Sequence, residues 1–237
     1  MPDAPSWTNR LAGARAGAAA GIAGPAAFTG AWIASSLRQT GYQAAQIQLS
    51  GLAAPDARDP WIMVAGFVVL GGCTVAFGAA LRDALSHAAG GQGRRAGGAG
   101  PAPLLIQGAG LLTIAAGLLR RDRMLLTPGS VSWHNHAHDV ISALIYADLV
   151  AAQVLLAERF GRDPGALDPD WIPWRPWLLA SGLATGAALV AFAGQTSAAS
   201  AGVLQRIAVT IPLAATAAVA VRLLRTQLRS PARSGWP

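Results

Sequence analysis

Long apolar runs separated by short polar segments make up most of the chain. An α-helix needs roughly 20 apolar residues to cross a hydrocarbon layer about 30 Å thick, and six runs approach that length. The clearest of them, "WIMVAGFVVLGGCTVAFGAAL", contains no charged residue. The pattern predicts transmembrane helices at about 16–37, 61–81, 101–119, 135–157, 177–194 and 200–221. We therefore predict an all-α, polytopic integral membrane protein that folds as one six-helix bundle over residues 1–237.

Polar segments connect and follow these runs. Residues 87–103 are rich in glycine, which is typical of a flexible connection, and we predict a linker between the second and third helices. Residues 226–237 are predicted to form a polar tail. The segment 159–177 is rich in proline and tryptophan, and it suits a loop at headgroup depth, where tryptophan is enriched.

The composition agrees with a membrane protein. Hydrophobic residues make up 53% of the chain and charged residues only 12%, whereas a soluble domain carries about 25% charged residues. Arginine supplies all 18 basic residues, and alanine and glycine dominate the apolar runs, a mix that suggests a bacterial protein. The single cysteine, Cys73, lies in an apolar run and allows neither an intrachain disulfide nor a cysteine metal cluster.

The net charge of +7 raises the question of an anionic partner. The arginines lie in short clusters between uncharged runs and do not line one polar face. This distribution favours membrane lipids with anionic headgroups as partners and disfavours nucleic acid. If the N-terminus is cytoplasmic, 12 of the 18 arginines lie on the cytoplasmic side. Because cytoplasmic loops carry the excess of arginine, we predict a multi-pass protein of the plasma membrane with both termini in the cytoplasm.

The segment "SVSWHNHAHDV" holds three of the four histidines. If the fourth helix begins near Trp133, His134 and His138 lie four residues apart and project from one face. Two imidazoles at this spacing can bind one divalent metal ion, although a third ligand is then needed. The candidates for that ligand are Asp139, Asp122 and Asp56.

Acid/base chemistry is a second interpretation of the same segment. A histidine exchanges protons near neutral pH, and a carboxylate can orient its other ring nitrogen. A third interpretation is that these histidines are solvated residues at a helix start, with Ser132 or Asn135 as the N-cap. His136 faces away from the other two histidines in all three interpretations.

Other polar residues are expected at the same end of the bundle as the histidines. They are Asp56, Asp122, His134, His138, Asp139 and Arg206. Such convergence is what a water-accessible pocket at the mouth of a helix bundle requires. We predict His138 and Asp139 as an acid/base pair with Asp122 as their partner. Arg206, preceded by Gln205, is predicted to bind an anionic group of a substrate, and the alternative is an arginine that snorkels to the interface.

Two polar residues lie deeper in the fourth apolar run. Asp148 is near its middle, where a carboxyl group is costly unless it is protonated, paired or facing a cavity. It is predicted either to contact a substrate or relay protons, or to be a protonated residue bonded to Gln107, Thr185 or Thr210. Tyr146 lies two turns deeper than Asp139 on nearly the same face. It is predicted either to extend the row of polar side chains inward or to pack against apolar neighbours.

Common catalytic motifs are missing from the chain. It contains no HExxH, no GxSxG, no Walker A motif and no GxGxxG between a strand and a helix, so that hydrolase, NTPase and dinucleotide-binding readings lack support. Whether the protein is an enzyme therefore stays open at this point.

Short patterns along the chain resemble a known family. They are "GPAAFTGAWIAS", "QIQLSGLAAPDARDPWIMVAGFVVLGG", "GLLRRD", "HNHAHDVIS" and "GVLQRIAV". Over residues 20–225 the chain resembles the six-helix bacterial and archaeal membrane family named domain of unknown function 998, a relative of Frag1- and DRAM-like membrane proteins. The family name implies no activity, and the relatives suggest lipid-like ligands by analogy alone.

Three functions are compatible with these observations. The first is a lipid-handling or lipid-modifying protein with a polar pocket at the extracytoplasmic face. The second is a proton-coupled transporter of small molecules that uses Asp148 and Tyr146. The third is a membrane subunit without catalytic activity that serves as a scaffold for a partner.

Overall fold

A computed structural model describes residues 7–90, 98–125, 131–162, 171–194 and 199–229. Within these ranges the chain forms six α-helices and one short 3₁₀ helix, and no strand. The α-helices are α1 (Trp7–Arg38), α2 (Trp61–Gly90), α3 (Ala102–Leu118), α4 (Trp133–Arg162), α5 (Trp174–Ala193) and α6 (Ala201–Arg229). The 3₁₀ helix, Leu49–Ala53, lies between α1 and α2.

Several helices extend beyond the apolar runs that predicted them. The proposed linker 87–103 is wrong at both ends, because residues 87–90 continue α2 and residues 102–103 begin α3. The proposed tail 226–237 is likewise wrong for residues 226–229, which belong to α6. An apolar run marks only the part of a helix that is buried or in lipid, whereas alanine and arginine favour helix in any surroundings. Residues 91–97 and 230–237 lie outside the described residues.

The helices form a closed ring in sequence order. Each one packs against the helices before and after it, and α6 also packs against α1. Neighbouring helices are antiparallel, as α1 and α2 show: Gly17 near the start of α1 faces Ala80, and Gly66 near the start of α2 faces Ala31. The ends of α1, α3 and α5 and the starts of α2, α4 and α6 therefore meet at one end of the bundle, which we call the histidine end.

Glycines allow the closest approach between helices in this ring. Gly71 of α2 and Gly110 of α3 face each other so closely that a Cβ atom on Gly71 would lie 2.5 Å from the carbonyl oxygen of Gly110. A Cβ atom on Gly110 would lie 2.7 Å from the carbonyl oxygen of Gly71. Small residues let helices pack backbone against backbone, which is the usual way that helices associate in a bilayer.

Two apolar clusters fill the interior of the ring. One, which includes Phe77, Leu81 and Leu156, lies toward the end opposite the histidines. The other includes Phe28 and Leu52 and lies toward the histidine end.

Four of the described helices are long and apolar enough to cross a membrane. They cover Trp61–Ser86, Trp133–Gly161, Trp174–Ala193 and Ala201–Leu228. α3 is apolar but has only 17 residues. The helices that the apolar runs predicted are thus present, and four of them carry the full signature of a membrane span.

Candidate functional site

The histidine end of the ring is covered by part of the connection between α1 and α2. We call residues 42–57 the cap segment. All five residues of its 3₁₀ helix are buried, and Leu52 is 0% exposed. The cap segment therefore closes the interior of the ring on this side, a role that the sequence did not indicate.

The start of α6 holds the cap segment through backbone and side-chain contacts. The side-chain oxygen of Gln205 accepts a hydrogen bond from the backbone N–H of Leu49, and its amide nitrogen donates to the hydroxyl of Ser50 at 3.4 Å. The backbone N–H of Gly202 donates to the carbonyl oxygen of Ala45 at 2.8 Å. These buried polar groups of the cap are thus satisfied by α6, as burial requires.

Arg206 strengthens the same attachment. Its guanidinium donates to the carbonyl oxygens of Ala44, at 2.6 Å, and Ile47, at 3.0 Å. It also donates to the hydroxyl of Tyr42 and lies over the rings of Trp32 and Tyr42 at 5.5 and 5.8 Å. The arginine thus binds the cap segment, and this geometry does not support the prediction that it binds an anionic group of a substrate.

The connection between α3 and α4 holds the other side of the cap. Arg121, only 4% exposed, donates to the side-chain oxygen of Gln48, and the carboxylate of Asp56 accepts from the backbone N–H of Met124 at 2.8 Å. Burial lowers the pKa of Arg121 from its ordinary value, while the nearby carboxylates of Asp139 and Asp122 act in the opposite direction. A buried guanidinium thus ties the cap segment to the connection between α3 and α4.

The start of α4 is built by a local hydrogen-bond network. The Ser132 hydroxyl accepts from the backbone N–H of Asn135 at 3.4 Å, the arrangement of an N-cap. The carboxylate of Asp122 accepts from the backbone N–H of Ser132 at 2.7 Å and from its hydroxyl. The side-chain amide of Asn135 donates to Asp139 at 2.9 Å. Ser132 therefore caps a helix that begins at Trp133, whereas the solvated histidines of the same interpretation are not found at His138, which is buried.

These bonds affect the titration of Asp122. The hydrogen bonds from the side chain and backbone of Ser132 hold the pKa of Asp122 below its ordinary value, and burial opposes that shift. A carboxyl group whose pKa is lower in the folded state contributes stability above its ordinary value, and loses it as the pH falls through the folded pKa.

Replacement of Asp122 with Asn is expected to lower the melting temperature at neutral pH. The difference from the parent protein should be full above the ordinary pKa of 3.8 and should be lost as the pH falls through the lower pKa of the folded protein, since the protonated carboxyl no longer favours the fold. Thermal unfolding in detergent at several pH values measures this. In a Ser132→Ala background the effect should be smaller, and a difference that grows on acidification would contradict the assignment.

His138 turns into the interior of the bundle. It is 2% exposed, and its Nδ1 lies 3.0 Å from the carbonyl oxygen of Ala116 and 2.9 Å from that of Leu119. A carbonyl oxygen only accepts, so Nδ1 carries the proton and donates to both. In a neutral ring Nε2 is then the acceptor. The end of α3, rather than a carboxylate, orients this ring.

A cavity of about 70 Å³ lies under the cap segment. Ordered water needs roughly 10–15 Å³ per molecule by this measure, so that there is space for several. Residues of every helix except α5 line it, together with two from the cap. Its polar lining consists of Ser50, Thr74, Thr113, His138, Ser142, Tyr146, Gln205 and Thr216. The remaining lining is apolar, including Phe28, Leu70 and Leu213.

The cavity brings together only some of the predicted site residues. His138, Gln205 and Tyr146 line it. The carboxylate of Asp139 bonds to Asn135, and Asp139 itself is exposed. His138 and Asp139, the predicted acid/base pair, therefore bind different partners. His138 points into the ring, whereas Asp139 points away from it.

The predicted metal pair is separated as well. His134 is exposed and its ring lies tilted against that of Trp133, with 3.7 Å between ring centroids, whereas His138 is buried. Among the described residues no group of three or more His, Cys, Asp or Glu side chains is placed to hold a metal ion. The third ligand that a site with His134 and His138 needs is thus missing from this part of the chain.

Asp148 lies on a different side of α4. It is absent from the lining of the cavity, and its Oδ2 would be 3.1 Å from a Cβ atom on Gly108 of α3. The hydroxyl of Thr185 donates to Ser181 at 2.8 Å rather than to this carboxyl. The carboxyl group therefore lies against a glycine in the groove between α3 and α4.

No local sequence pattern distinguishes several residues of this site. Arg120 and Arg121 are adjacent and identical in type, yet the first is exposed and the second is buried. Serine and threonine are common in membrane helices and loops, so that nothing marks Ser50, Thr113 and Thr216 in the sequence. Their placement on one cavity depends on the order of the helices in the ring, which no local pattern carries.

The fold defines the class of this protein, and the comparisons with known proteins define its family. Its four long apolar helices and its helical ring are those of a helical membrane protein. A family model described as a protein of unknown function, DUF998, matches residues 22–222, and the chain belongs to that family. The resemblance seen in the sequence is confirmed. No curated protein and no solved structure matches the chain.

Proposed function

We propose that this chain is a six-span membrane protein that binds one amphipathic, lipid-like molecule in the cavity of its helix ring. The observation that carries the proposal is the cavity itself, whose lining combines several polar side chains with a larger number of apolar ones. Ligand sites are typically concave and mostly apolar with a few polar groups that fix orientation. A molecule with a small polar head and an apolar body matches such a lining.

Six spans are supported by the position of α1 and α3 in the ring. α3 lies between α2 and α4, both long apolar helices, and α1 lies between α2 and α6. The outer side of α3 exposes Leu104, Leu111 and Leu118 at 51–65%, which suits contact with lipid tails. At 1.5 Å per residue a helix of 17 residues is about 25 Å long, close to the thickness of a hydrocarbon core.

The orientation and location stay predictions from the arginine distribution. That distribution favours cytoplasmic termini in a plasma membrane, which would place the histidine end and its cap on the extracytoplasmic side. The relation to Frag1- and DRAM-like proteins also stays a prediction.

Binding is proposed in preference to the catalytic and transport alternatives. A reaction based on His138 and Asp139 would need the two side chains to work together, and their hydrogen bonds lead to different partners. Proton-coupled transport through Asp148 would need that carboxyl to reach the cavity, which other residues line. No observation favours a scaffold over a binding protein.

The test is native mass spectrometry of the protein released from mild detergent. We expect one bound molecule of lipid-like mass per chain, identified after extraction. Ser142 lines the cavity and Ala143 is exposed on the same helix, so that Ser142→Phe should lose the molecule and Ala143→Phe should retain it. A parent protein that carries no such molecule, or two variants that behave alike, would contradict the proposal.

A further inference from the structure

The lining of the cavity restricts the charge of its ligand. Among the described residues that line it, none is an aspartate, glutamate or arginine, and His138 is its only titratable group besides the Tyr146 phenol. Arg206, which follows the lining residue Gln205, and the buried Arg121 are both bound to the cap segment. A charge in an apolar interior is very costly without a partner. The cavity is therefore suited to an uncharged molecule.

The hydrogen-bond roles of the lining are also restricted. The hydroxyls of Thr74 and Thr113 donate to the carbonyl oxygens four residues earlier in their helices, at 2.8 and 2.7 Å. Their oxygens can therefore only accept from a ligand. The Nε2 atom of His138 also accepts when the ring is neutral, because Nδ1 donates to the end of α3. Three acceptors thus face the same space.

Hydrogen-bond donors also line the cavity, on the same helix as His138. The hydroxyls of Ser142 and Tyr146 have no hydrogen-bond partner within the described residues. Their oxygens are also not fully buried. These oxygens are therefore open to the cavity and can donate or accept. A ligand group that both donates and accepts satisfies the two sets together.

We propose that the ligand carries an aliphatic hydroxyl group, held between the Nε2 atom of His138, Ser142 and Tyr146 on α4 and the threonine oxygens on α2 and α3. This inference rests on the proposed binding function and names its substrate class. A carboxylate or phosphate only accepts and would leave the three acceptors unpaired. An ammonium group would match the acceptors but would bury a charge that no carboxylate of the lining balances.

A second, smaller cavity lies beside the first, and its lining suits the apolar part of such a molecule. It has a volume of about 20 Å³ and shares Leu149 and Thr216 with the first cavity. The rest of its lining is apolar apart from Gln153. The two spaces lie one after the other along α4, so that a chain attached to the hydroxyl group can extend away from the cap. A free alcohol and the hydroxyl of a diacylglycerol share this chemistry.

The experiment uses photoreactive twelve-carbon probes that differ only in the head group: hydroxyl, carboxylate, phosphate or ammonium. The full chain is placed in phosphatidylcholine nanodiscs, and labelling of cavity peptides from α4 and α6 is measured by mass spectrometry. We expect saturable labelling by the alcohol alone. Dodecanol should compete for the label, and competition by a diacylglycerol as well would identify a glycerolipid source, whereas its absence would identify the free alcohol.

Three variants and one control variant connect the labelling to the residues. Tyr146→Phe and Thr113→Val each remove one hydroxyl and are expected to weaken the alcohol about fivefold. His138→Phe should weaken it at least as much, and His136→Phe, exposed on the same helix, should leave it unchanged. Unchanged binding in both hydroxyl variants would overturn the assignment of these contacts.

The failures of the two proposals are distinguishable. Saturable labelling by the carboxylate or the phosphate at the level of the alcohol would overturn the hydroxyl inference and leave the binding function intact. Labelling by none of the probes would also overturn the inference, and native mass spectrometry would then decide the binding function separately.

Discussion

Replacement of Gly71 with alanine is expected to destabilise the protein strongly. The added Cβ atom would lie 2.5 Å from the carbonyl oxygen of Gly110 and 2.6 Å from a side-chain carbon of Ile114, so α2 and α3 must separate. Overpacking of this kind costs about 1–3 kcal/mol. Because neither backbone can yield locally, we expect a value near the upper limit, measured as the free energy of unfolding in mixed micelles.

Gly72 provides the matched control. It follows Gly71 directly, is exposed, and a Cβ atom there would have no atom within 4 Å. Alanine at this position is expected to be neutral or to stabilise the helix by up to about 1 kcal/mol, the difference in helix propensity. A loss of stability as large in Gly72→Ala as in Gly71→Ala would mean that helix contact is not the cause.

A double variant examines the mechanism further. Once Gly71→Ala has moved the helices apart, the clash of Gly110→Ala is already partly relieved. The combined loss should therefore be smaller than the sum of the two single losses, as expected for residues in contact. Additive losses would indicate that the two glycines do not face each other.

Replacement of Gly202 with alanine is expected to release the cap segment. The Cβ atom would lie 2.4 Å from the carbonyl oxygen of Ala44 and 2.6 Å from that of Ile47, so the segment must move away from α6. The movement also weakens the hydrogen bond from the Gly202 N–H to Ala45. We expect a loss of roughly 2–3 kcal/mol in the attachment of the cap.

Release of the cap can be measured apart from global unfolding. Ser50, buried in the cap and part of the cavity lining, is replaced by cysteine after Cys73 has been changed to serine. A cap weakened by about 2 kcal/mol should open roughly thirtyfold more often, and the new cysteine should react with maleimide faster by a similar factor. Gly186→Ala, where a Cβ atom meets nothing within 4 Å, is the control. Equal reaction rates in both variants would show that Gly202 does not hold the cap.

The fold illustrates how far local patterns reach. Run length and composition predicted each helix, because a helix that meets lipid or other helices on all sides is apolar throughout. The start of α4 was predictable too, since an N-cap at Ser132 and the separation of His134 and His138 by four residues are local features. The helix ends were misplaced where alanine and arginine continue a helix without an apolar signal.

The candidate site was predictable only in part. His138, Gln205 and Tyr146 were selected and do line the cavity. Arg206 was selected for its charge, and in the structure its guanidinium donates hydrogen bonds to backbone carbonyl oxygens of the cap segment. Asp139 and Asp148 were selected for their carboxyl groups, and both face away from the cavity. Residue type alone thus did not indicate which partner each of these side chains binds.

The sequence by itself determined that this chain is built from apolar helices, where most of them lie, and that polar groups gather at one end. These properties depend on the period and composition of short segments. Only the tertiary structure decided that His138 turns to the carbonyl oxygens of Ala116 and Leu119, that Arg121 is buried beside an exposed Arg120, and that residues 42–57 cover the cavity. Each of these depends on contacts between segments distant in sequence, and the order and rotation of helices in the ring determine which face of each helix meets which neighbour.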